Sequence, residues 1–229
     1  MKFGVVVFPG SNCDQDMLYV LEHILEQDVV RLWHKDHDLQ NADFIILPGG
    51  FSFGDYLRSD AIARFSPLMK EIISFANKGG YVMGICNGFQ ILTETGLLPG
   101  ALLHNANCRF ICQNIYLKMD THQSLITSGL DIQKVLRIPI AHGEGNYFIH
   151  ADGLKQIQDQ ILFRYCDESG NINPQSNPNG SIDHIAGICN TTRNVFGMMP
   201  HTERAANTIV GNTDGLAIFE SILKMVSAS

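Results

Sequence analysis

Three short segments of this sequence hold residues that could act on an acyl group together. In Tyr81-Val82-Met83-Gly84-Ile85-Cys86-Asn87-Gly88-Phe89-Gln90-Ile91-Leu92, an apolar run ends in Gly-x-Cys-x-Gly and passes into a helical pattern. That is a nucleophile elbow carrying sulfur. Its glycines relieve Cβ clashes at a sharp corner, and the helix that follows turns its positive end to the sulfur, favouring the nucleophilic thiolate. Glycines flanking a cysteine at a strand-to-helix junction are poor packing material, which separates Cys86 from Cys13, Cys112, Cys166 and Cys189, read as ordinary buried cysteines.

A cysteine attacking an amide needs a group that takes its proton and returns it to the leaving amine, and imidazole suits that role. Among nine histidines, His201 stands out because Val195-Phe196-Gly197-Met198-Met199-Pro200 reads as a strand ending at proline. His201-Thr202-Glu203 then lies at a strand's carboxyl edge, the ligand side of open α/β sheets, with Glu203 near enough to orient the imidazole. The third segment, Leu47-Pro48-Gly49-Gly50-Phe51-Ser52-Phe53-Gly54-Asp55, follows another apolar run. It lacks the Lys and Ser/Thr of a phosphate-binding loop, and the Gly50 and Asn87 N–H groups are candidates for holding a developing oxyanion.

The elements that must position these residues follow from periodicity. Phe3 to Phe8, Asp43 to Leu47 and Tyr81 to Ile85 are near-continuously apolar, as strands buried on both faces of a parallel sheet are. Helical spacing separates them, in Met17, Val20, Leu21, Ile24 and Leu25, and again in Leu68, Ile72, Ile73 and Phe75 before Gly79-Gly80. This predicts an α/β fold with a doubly wound, mostly parallel sheet. From Arg109 onward, short strands at Phe110–Leu117, Val135–Ile140, Ile161–Tyr165 and Ile185–Ile188 predict an antiparallel extension; Asn171 to Ser181 reads as a surface loop and Asp214 to Val226 as a closing amphipathic helix.

Composition bounds the rest. At 229 residues, with 45% hydrophobic and 17% charged residues, the chain has material for one large core, and residues 1–229 are expected to form a single domain. A net charge of −7 argues against a nucleic-acid backbone or an anionic membrane as partner. Six scattered cysteines and no secretion signal point to reduced thiols and a cytoplasmic setting. Cys108 and Cys112 have no second pair at zinc spacing, so no metal is expected.

The motifs together resemble class I (triad) glutamine amidotransferases, and within them the family of glutaminase subunits of phosphoribosylformylglycinamidine synthase. The likeness runs nearly end to end through Phe8-Pro9-Gly10-Ser11-Asn12-Cys13-Asp14, Pro48 to Asp55 with Ala61-Ile62-Ala63, Gly84 to Gln90, Ala141-His142-Gly143-Glu144-Gly145, Asn177 to Ser181, and Gly197 to Ala205. The resemblance implies a flavodoxin-like fold with helices on both faces of the sheet, Cys86 as bearer of a γ-glutamyl thioester, His201 as base and acid, Glu203 as its support, and an oxyanion hole from Gly50 and Asn87. It further implies glutamine contacts from Gly49, Phe51, Gln90, Asn107, Arg109 and Phe110. Ammonia would pass to a large synthetase subunit, aided by a small accessory subunit, with ATP and magnesium on the synthetase and no cofactor in this chain. The isolated chain is then expected to be a poor glutaminase. Three positions depart from the family pattern: Thr202 where proline is common, Asn146 where arginine often follows Gly-Glu-Gly, and Asp60 where a small residue is usual. Two other readings stay open on the residues alone: a cysteine hydrolase of related fold acting on another substrate, and a binding module without catalysis.

Overall fold

The structure is a computed structural model that describes residues 1–52 and 63–226; Phe53, Gly54, Asp55, Asp60, Ala61 and Ile62 of the motifs above lie outside the described residues. The expected apolar runs form strands β1 (Lys2–Val7), β3 (Phe44–Leu47) and β4 (Tyr81–Ile85), and the proline-terminated run forms β11 (Val195–Met198). Between β1 and an edge strand β2 (Asp28–Trp33) lies helix α1 (Asp14–Tyr19), prolonged by a π-helical turn over Val20–Ile24. Helix α2 (Pro67–Asn77) connects β3 to β4, starting on Pro67 at its first turn, where a missing N–H costs nothing. Helix α3 (Asn87–Glu94) leaves β4 at once.

The second half supplies β5 (Ala101–Leu103), β6 (Ile111–Met119), β7 (Leu136–His142), β8 (Asn146–Phe148), helix α4 (Ala151–Gln156), β9 (Ile161–Cys166), β10 (Ile185–Cys189) and the closing helix α5 (Leu216–Val226). Among the described residues the main sheet has nine strands in the order β2-β1-β3-β4-β11-β10-β9-β6-β7, and β5 pairs with β8 apart from it. The pairings from β2 to β11 are parallel, and those from β11 to β7 antiparallel. Only β10 and β6 therefore run against the rest, so the sheet is mostly parallel in direction with an antiparallel extension. The reversal of order at β1 puts crossovers on opposite faces, because right-handed connections leaving in opposite directions must do so.

One continuous cluster of buried side chains spans the sheet, from Phe3 and Phe44 through Met83 and Phe89 to Ile138, Phe163 and Ile222. The strand directions determine the site: β1, β3, β4, β11, β9 and β7 all end at the same sheet edge, delivering Cys13, Gly49-Gly50, Cys86, His201, Tyr165 and Ala141 to one region. Ligand crevices of open α/β sheets lie outside that edge.

Two expectations need correction. Cys112, expected to be buried, is exposed; β6 begins at a solvent-facing end whose burial sets in only from Ile115. The Asn171–Ser181 stretch is a surface loop only at its start. Asn179 and Ser181 are buried, with Asn179 donating to the Gly145 carbonyl at 2.7 Å and to the Tyr165 hydroxyl at 3.1 Å, while the Ser181 hydroxyl accepts from the Tyr147 N–H at 3.0 Å. These side chains supply the partners that the buried backbone around Gly145 would otherwise lack.

Candidate active site

Cys86 sits at the corner between β4 and α3 with φ +50° and ψ −107°, outside the regions L-residues ordinarily occupy. Its N–H donates to the Met198 carbonyl at 2.8 Å, tying the corner to β11, and its thiol donates to the Ala141 carbonyl at 3.8 Å. The elbow glycines serve close approach. A Cβ on Gly88 would lie 2.0 Å from the Leu47 carbonyl oxygen, and one on Gly84 would lie 2.5 Å from Gly88 backbone atoms. Gly88→Ala must therefore force β3 and α3 apart, with an expected loss of roughly 3 kcal/mol or more. Urea unfolding checks this against Gly143→Ala, whose Cβ would meet nothing nearer than 3.9 Å and is expected to cost under about 0.5 kcal/mol.

His201 follows the end of β11 and opens a 3₁₀ turn, Thr202–Ala205; its N–H donates to the Pro139 carbonyl at 2.8 Å. That turn bends Glu203 back so that Nδ1 of His201 meets Glu203 Oε1 at 2.6 Å, both side chains buried. Thr202, in the position where proline is common, does not open this corner: it is fully buried and its carbonyl packs against Gly215, where a Cβ would come within 2.2 Å. Burial works against a charged imidazole at 201, but Glu203, Cys86 and Cys13 together outweigh it and hold the His201 pKa well above its ordinary value. Nε2 of His201 is buried and has no hydrogen-bond partner.

The glycine-rich turn wraps the other side of the imidazole. A Cβ on Gly49 would fall 2.6 Å from His201 Cε1, so only glycine leaves the ring its place. Gly50 has φ +132° and bridges to Ser11, and the Phe51 N–H donates to the Gly10 carbonyl at 3.3 Å. A cavity of about 120 Å³ opens here, lined by Asn12, Gly50, Phe51, Phe110, Ala141 and His201, among others. The exposed rings of Phe51 and Phe110 stack at its mouth with centroids 6.3 Å apart.

Of the expected substrate contacts, Phe51 and Phe110 join Gly50 and His201 around this cavity, and Gly49 lies outside its lining, against the His201 ring. Gln90 is engaged elsewhere: its Nε2 donates to the Glu144 carbonyl at 2.7 Å and its Oε1 accepts from Asn87 Nδ2 at 2.9 Å. Asn107 and Arg109 are exposed and outside the cavity lining, Asn107 Oδ1 accepting from the Arg109 N–H at 3.0 Å. Asn146, for its part, lends Nδ2 to the His104 carbonyl.

Sequence reasoning misses three contributors. Cys13, read as a packing residue, lies against His201, and Arg204 Nη2 donates to its sulfur at 3.3 Å. Its position after β1, at the same sheet edge as the elbow, is the signal that could have revealed it. Buried Asn105 is a hub, with Nδ2 donating to the Arg109 and His142 carbonyls, both at 2.8 Å, and Oδ1 accepting from the Gly145 N–H at 3.1 Å. Oδ1 also meets His142 Nδ1 at 3.0 Å, so His142 must carry its proton on Nδ1. Burial first, and the charge of His201 second, push His142 down to about 4. Unfolded, the same histidine takes up a proton near pH 6.5, so stability is lost as pH falls from about 6.5 to about 4, by roughly 3 kcal/mol in all. Unfolding free energies measured against pH are expected to show this loss and to show it reduced in His142→Gln.

A model of the CobB/CobQ-like glutamine amidotransferase domain matches residues 1–220. The phosphoribosylformylglycinamidine synthase subunit PurQ of Koribacter versatilis is 55% identical over 225 residues, 97% of either chain. The subunit of the same name from Synechocystis is 54% identical over 222 residues, 96% of this chain and 99% of its own. Among solved structures, that of PurLQS from Thermotoga maritima superposes with a TM-score of 0.87 at 41% identity, covering 98% of both chains.

Proposed function

Because this chain belongs to the CobB/CobQ-like glutamine amidotransferase family, we propose that it is the glutaminase subunit of a phosphoribosylformylglycinamidine synthase, releasing ammonia from glutamine for a synthetase partner. Full-length similarity to subunits of that name supports the assignment. The observation that carries the chemistry is the buried His201–Glu203 pair at 2.6 Å, set beside a cysteine held at a strained elbow.

In this reading the proton of Cys86 passes to His201 as the sulfur becomes the attacking thiolate. The sulfur attacks the side-chain amide carbon of glutamine, and Gly50 and Asn87 N–H groups hold the oxyanion. His201 gives its proton to the departing nitrogen, which leaves as ammonia, while Cys86 keeps the γ-glutamyl group as a thioester. The neutral imidazole then takes a proton from water as it adds to the thioester, and glutamate leaves with the thiolate restored. Glu203 keeps the Nδ1 proton in place throughout. Phe51 and Phe110 shape the glutamine pocket, with Gly49 against the His201 ring; Gln90 acts by bracing Glu144, and Asn107 and Arg109 reach substrate only if their segment moves.

Ammonia passes to the large synthetase subunit, with the small accessory subunit completing the complex. There, formylglycinamide ribonucleotide becomes the formylglycinamidine with ATP and magnesium, in purine biosynthesis. We take residues 1–229 as a single domain without a cofactor of its own and the setting as cytoplasmic; all six cysteines are free, and among the described residues no helix is long and apolar enough to cross a membrane.

The test is glutamate release by the chain alone and after addition of both partner subunits, ATP and formylglycinamide ribonucleotide. Release that is slow alone and stimulated more than about tenfold by the complete mixture, equivalent to about 1.4 kcal/mol of barrier, is the expected result. Unstimulated release would discard this synthetase as partner, and no release in either case would discard the glutaminase.

A further inference from the structure

The ladder between β6 and β7 runs from Leu117 opposite Leu136 to Ile111 opposite His142. Phe110, whose ring stacks on Phe51 at the cavity mouth, lies just beyond its end. A buried carboxamide continues the link past that point. Asn105 is 1% exposed, and its Nδ2 donates to the Arg109 and His142 carbonyls, each at 2.8 Å. Its Oδ1 accepts from the Gly145 N–H at 3.1 Å and from Nδ1 of His142 at 3.0 Å. Two donated and two accepted bonds use the whole capacity of an asparagine side chain. The segments joined in this way are ones the chemistry uses. Arg109 precedes Phe110. His142 follows Ala141, which lines the cavity with Phe110 and whose carbonyl takes the Cys86 thiol at 3.8 Å. Glu144 of the same loop accepts from Gln90, on the helix that follows the nucleophile, at 2.7 Å.

We propose that Asn105 is a positioning residue for glutamine binding: through the Arg109 carbonyl it holds Phe110 at the cavity mouth, and through His142 it holds the Ala141 wall beside the nucleophile. The proposal rests on the glutaminase reading and deepens it. Asn105 acts through these neighbours and is absent from the cavity lining. Among the described residues, the other hydrogen bonds of residues 107–110 are local, from the Cys108 N–H to the Asn105 carbonyl at 2.7 Å and from the Arg109 N–H to Asn107 Oδ1 at 3.0 Å. Losing the carboxamide therefore frees the mouth segment from the β7 loop. Other side chains do not replace it: aspartate keeps the acceptors but turns a carboxylate toward two carbonyl oxygens, and serine has one donor where two carbonyls need one each. With the mouth loosened, a substrate that must be gripped by Phe51 and Phe110 binds more weakly, while a small electrophile still reaches the sulfur. That contrast separates positioning from general packing, because a disordered core would alter both.

The test compares two alkylating reagents on Cys86 in the chain assembled with its partner subunits, each followed by peptide mapping. One is iodoacetamide, which has no glutamine features; the other is a diazomethyl-ketone analogue of glutamine, which must occupy the pocket before it reacts. Asn105→Asp is expected to slow labelling by the analogue more than about tenfold while changing iodoacetamide labelling less than about twofold. The same variant should raise the glutamine KM more than about tenfold with kcat within about threefold, the signature of lost substrate binding. Asn105→Ser, which buries no carboxylate, gives the same readouts where the first variant folds poorly. Combined with Phe110→Ala, either substitution should have little further effect on the analogue, since the ring it positions is already gone. Equal slowing of both reagents, an unchanged KM, or full additivity with Phe110→Ala overturns the proposal. Failure of the analogue to label Cys86 in the unsubstituted chain would overturn the glutaminase reading and the proposal with it, whereas labelling that is equally fast with and without Asn105 overturns the proposal alone.

Discussion

Cys86→Ala is expected to lower glutamine hydrolysis by about 10⁴- to 10⁶-fold, the scale on which removal of a covalent nucleophile acts, while the assembled synthase still uses ammonium salts at its ordinary rate. The two halves of that result have separate causes. Without sulfur there is no thioester, and the neighbouring Cys13 cannot substitute because its sulfur is held by Asn12 and Arg204 after a different strand. The ammonia-driven reaction needs only the partner's own site. Alanine also fits the corner sterically, since the β4–α3 turn is held by the Cys86 N–H bond to Met198 and by Gly84 and Gly88 packing, none of which uses the side chain. Glutamate release and ammonia-dependent product formation, measured on the same preparation, check both halves; retention of more than about 1% of glutamine-dependent rate would place the nucleophile elsewhere.

Glu203→Gln should reduce kcat by about 10²- to 10⁴-fold with little change in KM, following the effect of neutralising the carboxylate of a catalytic triad. Glutamine preserves size at a fully buried position, so the loss reports charge and tautomer. The carboxylate accepts the Nδ1 proton at 2.6 Å; an amide can instead offer its own N–H and put the imidazole in the wrong tautomer. Removing the negative charge also brings the His201 pKa down from its raised position, because Glu203 is the largest of the influences raising it. The ¹⁵N titration of His201 is therefore expected to move to lower pH in the variant. A loss under about tenfold, or an unmoved titration, would reduce Glu203 to a packing role.

The strands that carry the chemistry were legible because burial on both faces leaves an apolar run with no alternation to decode, as in Phe44-Ile45-Ile46-Leu47. Gly84 and Gly88 were legible for the reason the structure gives: backbone passes where a Cβ would sit. Strand β2 was not, since Asp28-Val29-Val30-Arg31-Leu32-Trp33 lies at an edge with only Leu32 buried, and its periodicity is weak. Cys13 was hidden for a different reason. Its chemistry depends on Arg204 and His201, roughly 190 residues away, and no local spacing encodes that encounter. Asn179 was concealed by composition, because Asn-Pro-Asn-Gly-Ser reads as solvent-facing turn chemistry although its second asparagine is completely buried against Gly145 and Tyr165. Gln90 shows the converse. Its place one turn beyond the nucleophile suggested substrate contact, and its amide instead binds Asn87 and Glu144.

The most direct measurement is an acid quench of the chain, complexed with its partner subunits, during turnover of uniformly ¹⁴C-labelled glutamine, followed by digestion and identification of the labelled peptide. The expected result is a γ-glutamyl group on Cys86, released by hydroxylamine as a thioester should be and absent from Cys86→Ala. Label on Cys13 or any other residue, or turnover with no covalent label under conditions that slow deacylation, would contradict the assignment of Cys86 as nucleophile.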